Sequence, residues 1–279
     1  MSKLKVIDSI EEMQEISANW SEEVGFVPTM GYLHEGHLSL VKAAKENCKI
    51  VVVSIYVNPS QFAPNEDLDT YPRDFDRDKQ LLEELEVDYL FFPKDSDMYP
   101  QNYKTWVNVN DLTKGLCGKS RPTHFQGVTT VVSKLINIVN PNKMFMGEKD
   151  FQQITVLKRM VEDLNFRVKI IGCDIVREKD GLAMSSRNKN LKSEDREKAL
   201  SLSRSIKLAK NLFRDGEIES RIIKEKIREL INSSGAKVDY VEIVDPVTLE
   251  DVEKVDEKSR VILAAYVGSV RLIDNGNLE

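Results

Sequence analysis

The sequence predicts an α/β protein: a Rossmann-like parallel sheet with helices on both faces, followed by a smaller α+β C-terminal domain. Three observations carry that prediction. Through the first two-thirds of the chain, short apolar runs alternate with segments whose apolar residues recur at helical spacing. Those runs are mostly apolar throughout rather than alternating with polar residues, as strands covered on both faces require. From residue 193 the pattern changes to charge-rich amphipathic helices and then to strand-like runs.

Taken in order, the first strand is the run Val24-Gly25-Phe26-Val27, and the helix after it, ending near residue 48, is marked by Leu38, Leu40, Val41 and Ala44. A strand over 50–56 follows, then a helix over 74–85, a strand over 87–92 and a helix over 128–139. A strand over 143–146, a helix over 151–163 and a strand over 168–173 complete the sheet. Beyond the polar segment 177–190, which reads as a hinge, come helices over 194–213 and 218–232 and strands over 238–244, 260–267 and 270–273. The expected domains are therefore 1–176 and 177–279. Two irregular stretches remain, 58–72 and 93–126, and ordered loops of that length often act as lids or binding loops.

Composition narrows the function. With 40 basic and 46 acidic residues and a net charge of −6, the chain lacks the concentrated positive field of a nucleic-acid or membrane-surface binder. Cys48, Cys117 and Cys173 are far apart and form no C-x-x-C pair, so neither a disulfide framework nor a zinc knuckle is expected. The start of the chain has no apolar signal core and no window is long enough to span a membrane, which makes the cytoplasm the expected location.

The most informative segment is Pro28-Thr29-Met30-Gly31-Tyr32-Leu33-His34-Glu35-Gly36-His37, which leads from the first strand through a glycine-bearing turn into a helix. A helix start above the carboxyl end of a parallel strand offers free N–H groups and a positive dipole end to an anion. His34 and His37, three residues apart, share a face there and can donate to phosphate oxygens. A metal pair is the competing reading, but His124 is the only other histidine, and no metal site is expected. Two solvated histidines at a helix start is the plainer one. After the second strand, Asn58 and Gln61 offer amides in a proline-broken loop. After the fourth, Gly147-Glu148-Lys149-Asp150-Phe151-Gln152-Gln153 repeats the strand, loop, helix plan. In the hinge, Met184-Ser185-Ser186-Arg187-Asn188 places two hydroxyls beside a guanidinium, which suits phosphate but also suits a capped turn.

Together with Asp69-Thr70-Tyr71-Pro72-Arg73, these motifs, in this order and spanning both domains, resemble the pantothenate synthetase (pantoate–β-alanine ligase) family. That family belongs to the nucleotidyltransferases with HxGH and KMSKS-like signatures. The resemblance implies ATP-dependent condensation of (R)-pantoate with β-alanine to pantothenate, AMP and pyrophosphate through a pantoyl adenylate. It also implies a homodimer, with Mg2+ held mainly through the ATP phosphates. By the same resemblance His37 is the principal catalytic histidine, acting with His34, Lys149 and Arg187. The nucleotide is expected at Met30, Gly31, Tyr32, Leu33, His34, Glu35, Gly36, His37, Gly147, Glu148, Lys149, Asp150, Val176, Met184, Ser185, Ser186 and Arg187, with the Val176 backbone meeting adenine. Pantoate and β-alanine are expected at Pro28, Thr29, Met30, Asn58, Gln61, Gln153, Arg121 and His124. Met30 and Phe62 offer apolar surface for the geminal methyl groups, although each also reads as a plain core residue, the preferred reading for Phe62. Asp76 and Asp78 enter as magnesium candidates only by proximity to the Tyr71-Pro72-Arg73 motif, against a solvated helix face. Two other functions compete: a nucleotidyltransferase acting on a phosphate-bearing acceptor, and a nucleotide sensor without chemistry. The amides at Asn58, Gln61 and Gln153 favour a hydroxy-acid over a phosphate in the acceptor pocket.

Overall fold

Two sheets organise the chain. The computed structural model describes residues 4–64 and 66–279. Its first part runs β1 (Lys5–Ile7), α1 (Ile10–Ser17), β2 (Val24–Thr29), α2 (Glu35–Asn47), β3 (Ile50–Ile55), α3 (Phe75–Glu84), β4 (Tyr89–Phe91), α4 (Asp95–Met98) and α5 (Leu116–Ser120). It continues through α6 (His124–Val139), β5 (Lys143–Gly147), α7 (Phe151–Asp163) and β6 (Lys169–Cys173). The second part is α8 (Arg196–Arg214), α9 (Ser220–Ser233), β7 (Lys237–Val244), β8 (Arg260–Val267) and β9 (Val270–Asn277).

The six strands of the first part pair in parallel in the order β1-β4-β3-β2-β5-β6. Strand order reverses between β2 and β5, and in such sheets ligands bind beyond the carboxyl ends at that point. Alternation along the strands divides the core between the two faces of the sheet. Phe26, Val52, Met144 and Met146 face the helices α1, α6 and α7, whereas Val27, Val51, Val53 and Phe145 face α2 and α3. The second part is an antiparallel sheet, β7-β8-β9, covered by α8 and α9. Its helices meet the sheet through Ile223, Ile227 and Ile231, spaced by one turn, and through Leu202, Ile206 and Ala209.

The fold class agrees with expectation, and the departures have local causes. β1 and α1 escape a periodicity reading because β1 is a three-residue edge strand that leaves Val6 exposed. A usable signal was the Ser9-x-x-Glu12 spacing, where Ser9 Oγ accepts from the Glu12 N–H at 3.2 Å and starts α1. α6 begins at His124 rather than 128, with Gly127 inside it. A Cβ at Gly127 would lie 2.4 Å from the Ser60 carbonyl oxygen, so glycine lets the 58–61 turn rest against the helix. The expected loop 93–126 contains α4 and α5. β9 continues past Ile273 through the polar Asp274-Asn275-Gly276-Asn277 because β8 pairs with it along its whole length. No helix among the described residues is long and apolar enough to cross a membrane.

Candidate active site

A cleft of about 960 Å³ opens beyond the carboxyl ends of β2, β3 and β5, with the 174–188 segment and part of β9 forming the far wall. Its walls bring together Pro28, Thr29, Met30, His34, Gly36, His37, Asn58, Gln61, Arg121, His124, Gly147, Lys149, Asp150, Gln153, Val176, Met184, Ser185, Ser186 and Arg187. Five expected nucleotide contacts, Gly31, Tyr32, Leu33, Glu35 and Glu148, are not on these walls. The Tyr32 and Leu33 N–H groups turn away to Asp78, and Leu33 is buried in the core beside α2. Glu35 faces solvent beside Lys42, and Glu148 pairs with Arg260 at 2.9 Å.

The histidine turn is held from beneath. Thr29 Oγ1 donates to the Ser54 carbonyl at 2.8 Å and accepts from the Gly31 N–H at 3.1 Å. Gly31 has φ +81°, and a Cβ there would also meet Ile55 Cγ2 at 2.9 Å. The buried Asp78 carboxylate accepts from the Tyr32 and Leu33 N–H groups at 2.6 and 2.7 Å, and burial raises its pKa above the ordinary value. Asp78 is therefore a brace for the turn, while Asp76 is exposed on α3; neither lies on the cleft wall. Sequence spacing alone could not separate these two carboxylates.

His34 caps α2: its Nδ1 accepts from the Gly36 N–H at 3.1 Å, while the His34 N–H reaches His37 Nδ1 at 3.4 Å. The rings lie 4.0 Å apart, centroid to centroid. Burial, with the Lys149 charge nearby, pushes His34 down to about 4. His37 lies well below its usual value through burial, then His34 and Lys149. Both imidazoles are neutral at pH 7, and because each Nδ1 accepts, each carries its proton on Nε2. The turn thus presents two ring N–H donors beside a helix start.

One wall is built from neutral groups. Buried Asn58 donates from Nδ2 to Gln61 Oε1 and to the Gly127 carbonyl, both at 3.1 Å, and its Oδ1 accepts from Ser60 Oγ at 2.9 Å. Gln61 Nε2 in turn approaches Met30 Sδ at 3.0 Å. Gln153 also lines the cleft, and no partner holds its amide among the described residues. Its neighbour Gln152 is buried instead, holding the Leu112 and Gly115 carbonyls and the Cys117 N–H. The sequence reading missed an apolar strip of Val128, Val131, Val132 and Leu135 from α6, with Tyr56 and Met146, that continues this wall. Their helical periodicity was visible, but core and cleft faces of α6 are indistinguishable in sequence. Phe62 is buried and also reaches the cleft, edge-on to Tyr71.

The opposite wall is charged. Lys149 lies 3.1 Å from the Asp150 carboxylate. Arg187 forms a two-pronged pair with Asp67 at 2.7 and 2.9 Å, and Ser185 Oγ accepts from the Arg187 N–H at 3.3 Å. Ser186 Oγ donates to the Tyr32 carbonyl at 3.3 Å, tying this loop to the histidine turn. Arg121, at the edge, is paired with Glu66 through both prongs and donates to the Gln61 carbonyl at 3.2 Å. Burial acts to raise the Glu66 and Asp67 carboxyls, and the guanidinium contacts outweigh it, so both titrate below the usual range. His124 Nδ1 faces the Gln61 carbonyl at 3.0 Å and so carries the proton, and burial pushes this ring down to about 4. The Val176 carbonyl accepts from the Met184 N–H at 3.0 Å; the Val176 N–H has no partner among the described residues.

Two ring N–H donors, a lysine, serine hydroxyls and an arginine thus face an amide and apolar pocket across one cleft, which suits a phosphate group beside a small acid. The pantoate–β-alanine ligase family model matches residues 5–277. The chain belongs to this family. It is accordingly an ATP-dependent ligase that joins pantoate to β-alanine. The pantothenate synthetase of Thermotoga petrophila is 56% identical over 276 residues, spanning 98% of this chain and 99% of that protein. The Clostridium botulinum pantothenate synthetase is 50% identical, with 98% of both chains covered. Among solved structures, the pantothenate synthetase of Thermus thermophilus superposes with a TM-score of 0.94 at 42% identity, over 98% of this chain and 99% of that one. A Francisella tularensis member of the family, solved with β-γ ATP and β-alanine, has a TM-score of 0.81 at 39% identity, covering 99% of this chain and 98% of that one.

Proposed function

We propose that the cleft runs the ligation through a pantoyl adenylate, with pantoate against the amide wall and ATP along the charged wall. The observation that carries this reading is the pair of neutral imidazoles whose Nδ1 atoms are occupied by backbone N–H groups. Pantoate's carboxylate oxygen attacks the α-phosphorus, the bond to the bridging oxygen breaks, and pyrophosphate departs. Charge then builds on phosphate oxygens, where fixed donors act most strongly. His37 Nε2–H and Lys149 are assigned to that charge, His34 to the adjacent phosphate, and Ser185, Ser186 and Arg187 to the chain from the far side. Adenine meets the Val176 N–H, and ribose the Gly147 and Asp150 edge.

Asn58 orients Gln61, and Gln61 and Gln153 bind the hydroxyls and carboxylate of pantoate. The geminal methyl groups rest on Met30 and the α6 strip. β-Alanine enters past Arg121 and His124, its unprotonated amine attacks the acyl carbon and releases one proton to solvent, and the acyl–oxygen bond to phosphate breaks as AMP leaves as a stable anion. An acyl adenylate is reactive enough for positioning and exclusion of water to suffice.

Among the described residues no group of three or more His, Cys, Asp or Glu side chains gathers for a metal. Mg2+ therefore fits as a companion of the phosphates, with Asp150 the half-exposed carboxylate on the wall able to join its shell. When bound it neutralises phosphate charge. The boundary between 1–176 and 177–279, a homodimer and a cytoplasmic location complete the reading. Isotope exchange between pyrophosphate and ATP tests it: exchange that requires D-pantoate and not β-alanine supports the adenylate. Folded chain that makes pantothenate without such exchange would exclude a reversible adenylate, and sedimentation of a monomer would remove the dimer.

A further inference from the structure

The charged wall is assembled from two pieces distant in sequence, the turn carrying Lys149 and the loop 184–188. Both are fastened to consecutive buried residues of β9. Asn275 Nδ2 donates to the Glu148 carbonyl at 3.0 Å and the Lys149 carbonyl at 2.8 Å. Its Oδ1 accepts from Arg260 Nε at 2.9 Å and Nη2 at 2.7 Å. The same guanidinium pairs with Glu148 and lies 3.9 Å over the Phe151 ring. Asp274 accepts both prongs of Arg177 at 2.7 and 2.8 Å and also the Asn275 N–H at 2.8 Å. Arg177 donates onward to the Gly181 carbonyl, and Arg177 pairs with Ala183, one residue before Met184.

A carboxamide that bridges these two successive carbonyls fixes the orientation of the two peptide planes that flank Lys149, and hence the direction in which the Lys149 side chain leaves the backbone. We infer that the Asp274-Asn275 pair is a positioning joint: β9 sets the spacing between Lys149 and the 185–187 loop so that both meet one triphosphate. Asp274 and Asn275 touch no reacting atom in this scheme; they act through Lys149 and Arg177. The inference rests on the functional reading above.

The decisive test is a double-mutant cycle on ATP affinity. Asn275→Asp keeps shape and the acceptor for Arg260 but turns an oxygen toward both carbonyls. In the native background it should raise the ATP Kd about tenfold or more, with pantoate Kd within about twofold. In a Lys149→Ala background the same change should cost less than about twofold. Equal cost in both backgrounds, or unchanged ATP affinity, would overturn the joint. Asn275→Ala gives a second measurement without ATP and without added charge: with Lys149 released, the His34 ring should titrate above its native value of about 4 by NMR. An unmoved His34 in folded Asn275→Ala would also overturn it. Native chain that binds ATP and exchanges pyrophosphate while the cycle is additive sinks only the joint; native chain that does neither removes the functional reading as well.

Discussion

The two walls of the cleft are stabilised in different ways. On the amide wall Asn58 and Gln61 are held by neutral neighbours: Asn58 holds Gln61, and Ser60 holds Asn58, while the Gln153 amide has no partner among the described residues. On the charged wall each cation is matched by a carboxylate of the chain: Arg187 by Asp67, Lys149 by Asp150, and Arg121 by Glu66. The neutral wall is ready for a ligand as it stands. The charged wall gains from an anionic ligand only the difference between two ion pairs, because the resident carboxylate must give way. Under the proposed function, shape selection belongs to the first wall and charge-driven chemistry to the second.

The largest expected break is His37→Ala, which should lower pantoate-dependent pyrophosphate exchange by about 10²–10⁴-fold, the usual range for a group assisting proton or charge transfer. A loss under tenfold would move the transition-state charge to the arginine and serine side. Lys149→Ala should cost about 10²-fold in kcat/KM for ATP, and the loss should shrink when the native enzyme is assayed in high salt. Gln61→Glu converts a neutral wall position into a charged one and should raise the pantoate KM about 10–100-fold while leaving that for ATP nearly unchanged. Equal effects on both substrates would erase the distinction between the walls. Asp67→Asn sharpens it from the other side: relieved of its resident carboxylate, Arg187 should bind ATP a few-fold more tightly, as isothermal titration would read, and weaker binding would make Asp67 a support rather than a competitor.

The smallest effect is in stability against pH. His34 and His124 titrate near 4 in the folded chain and near 6.5 when exposed, so between those values the unfolded chain binds protons that the folded chain does not. Their contribution makes stability fall as pH drops from 6.5 toward 4 and is flat above 6.5. His124→Asn should flatten the melting-temperature slope inside that window and leave it unchanged at about pH 8. A mutant slope equal to the native one would mean His124 is not held neutral by its burial.

Legibility was uneven for physical reasons. Strands with apolar residues on both faces and helices such as α7 were plain in the residue pattern, since burial imposes composition directly. β1 was not, because an edge strand of three residues buries too little to leave a signature. The site motifs were recognisable as local strings, yet the same string held groups with opposite fates. Gln152 supports a loop while Gln153 faces the cleft, and Leu33 enters the core while His34 also faces the cleft. A one-residue step on a helix swings the side chain by about 100°, and which direction is inside depends on what packs there.

By itself the sequence determined the fold class, the helix start bearing His34 and His37, the amides after β3, and the family, because these depend on local spacing and on which residue types occur together. Only the tertiary structure decided that Asp78 braces the histidine turn and that α6 lends the pocket its apolar strip. It also decided that Asp67 occupies Arg187 and that β9 fastens the Lys149 turn. Each of these joins residues far apart in the chain through distances of about 3 Å, and hydrogen bonding is that selective because its energy falls away steeply with distance and angle.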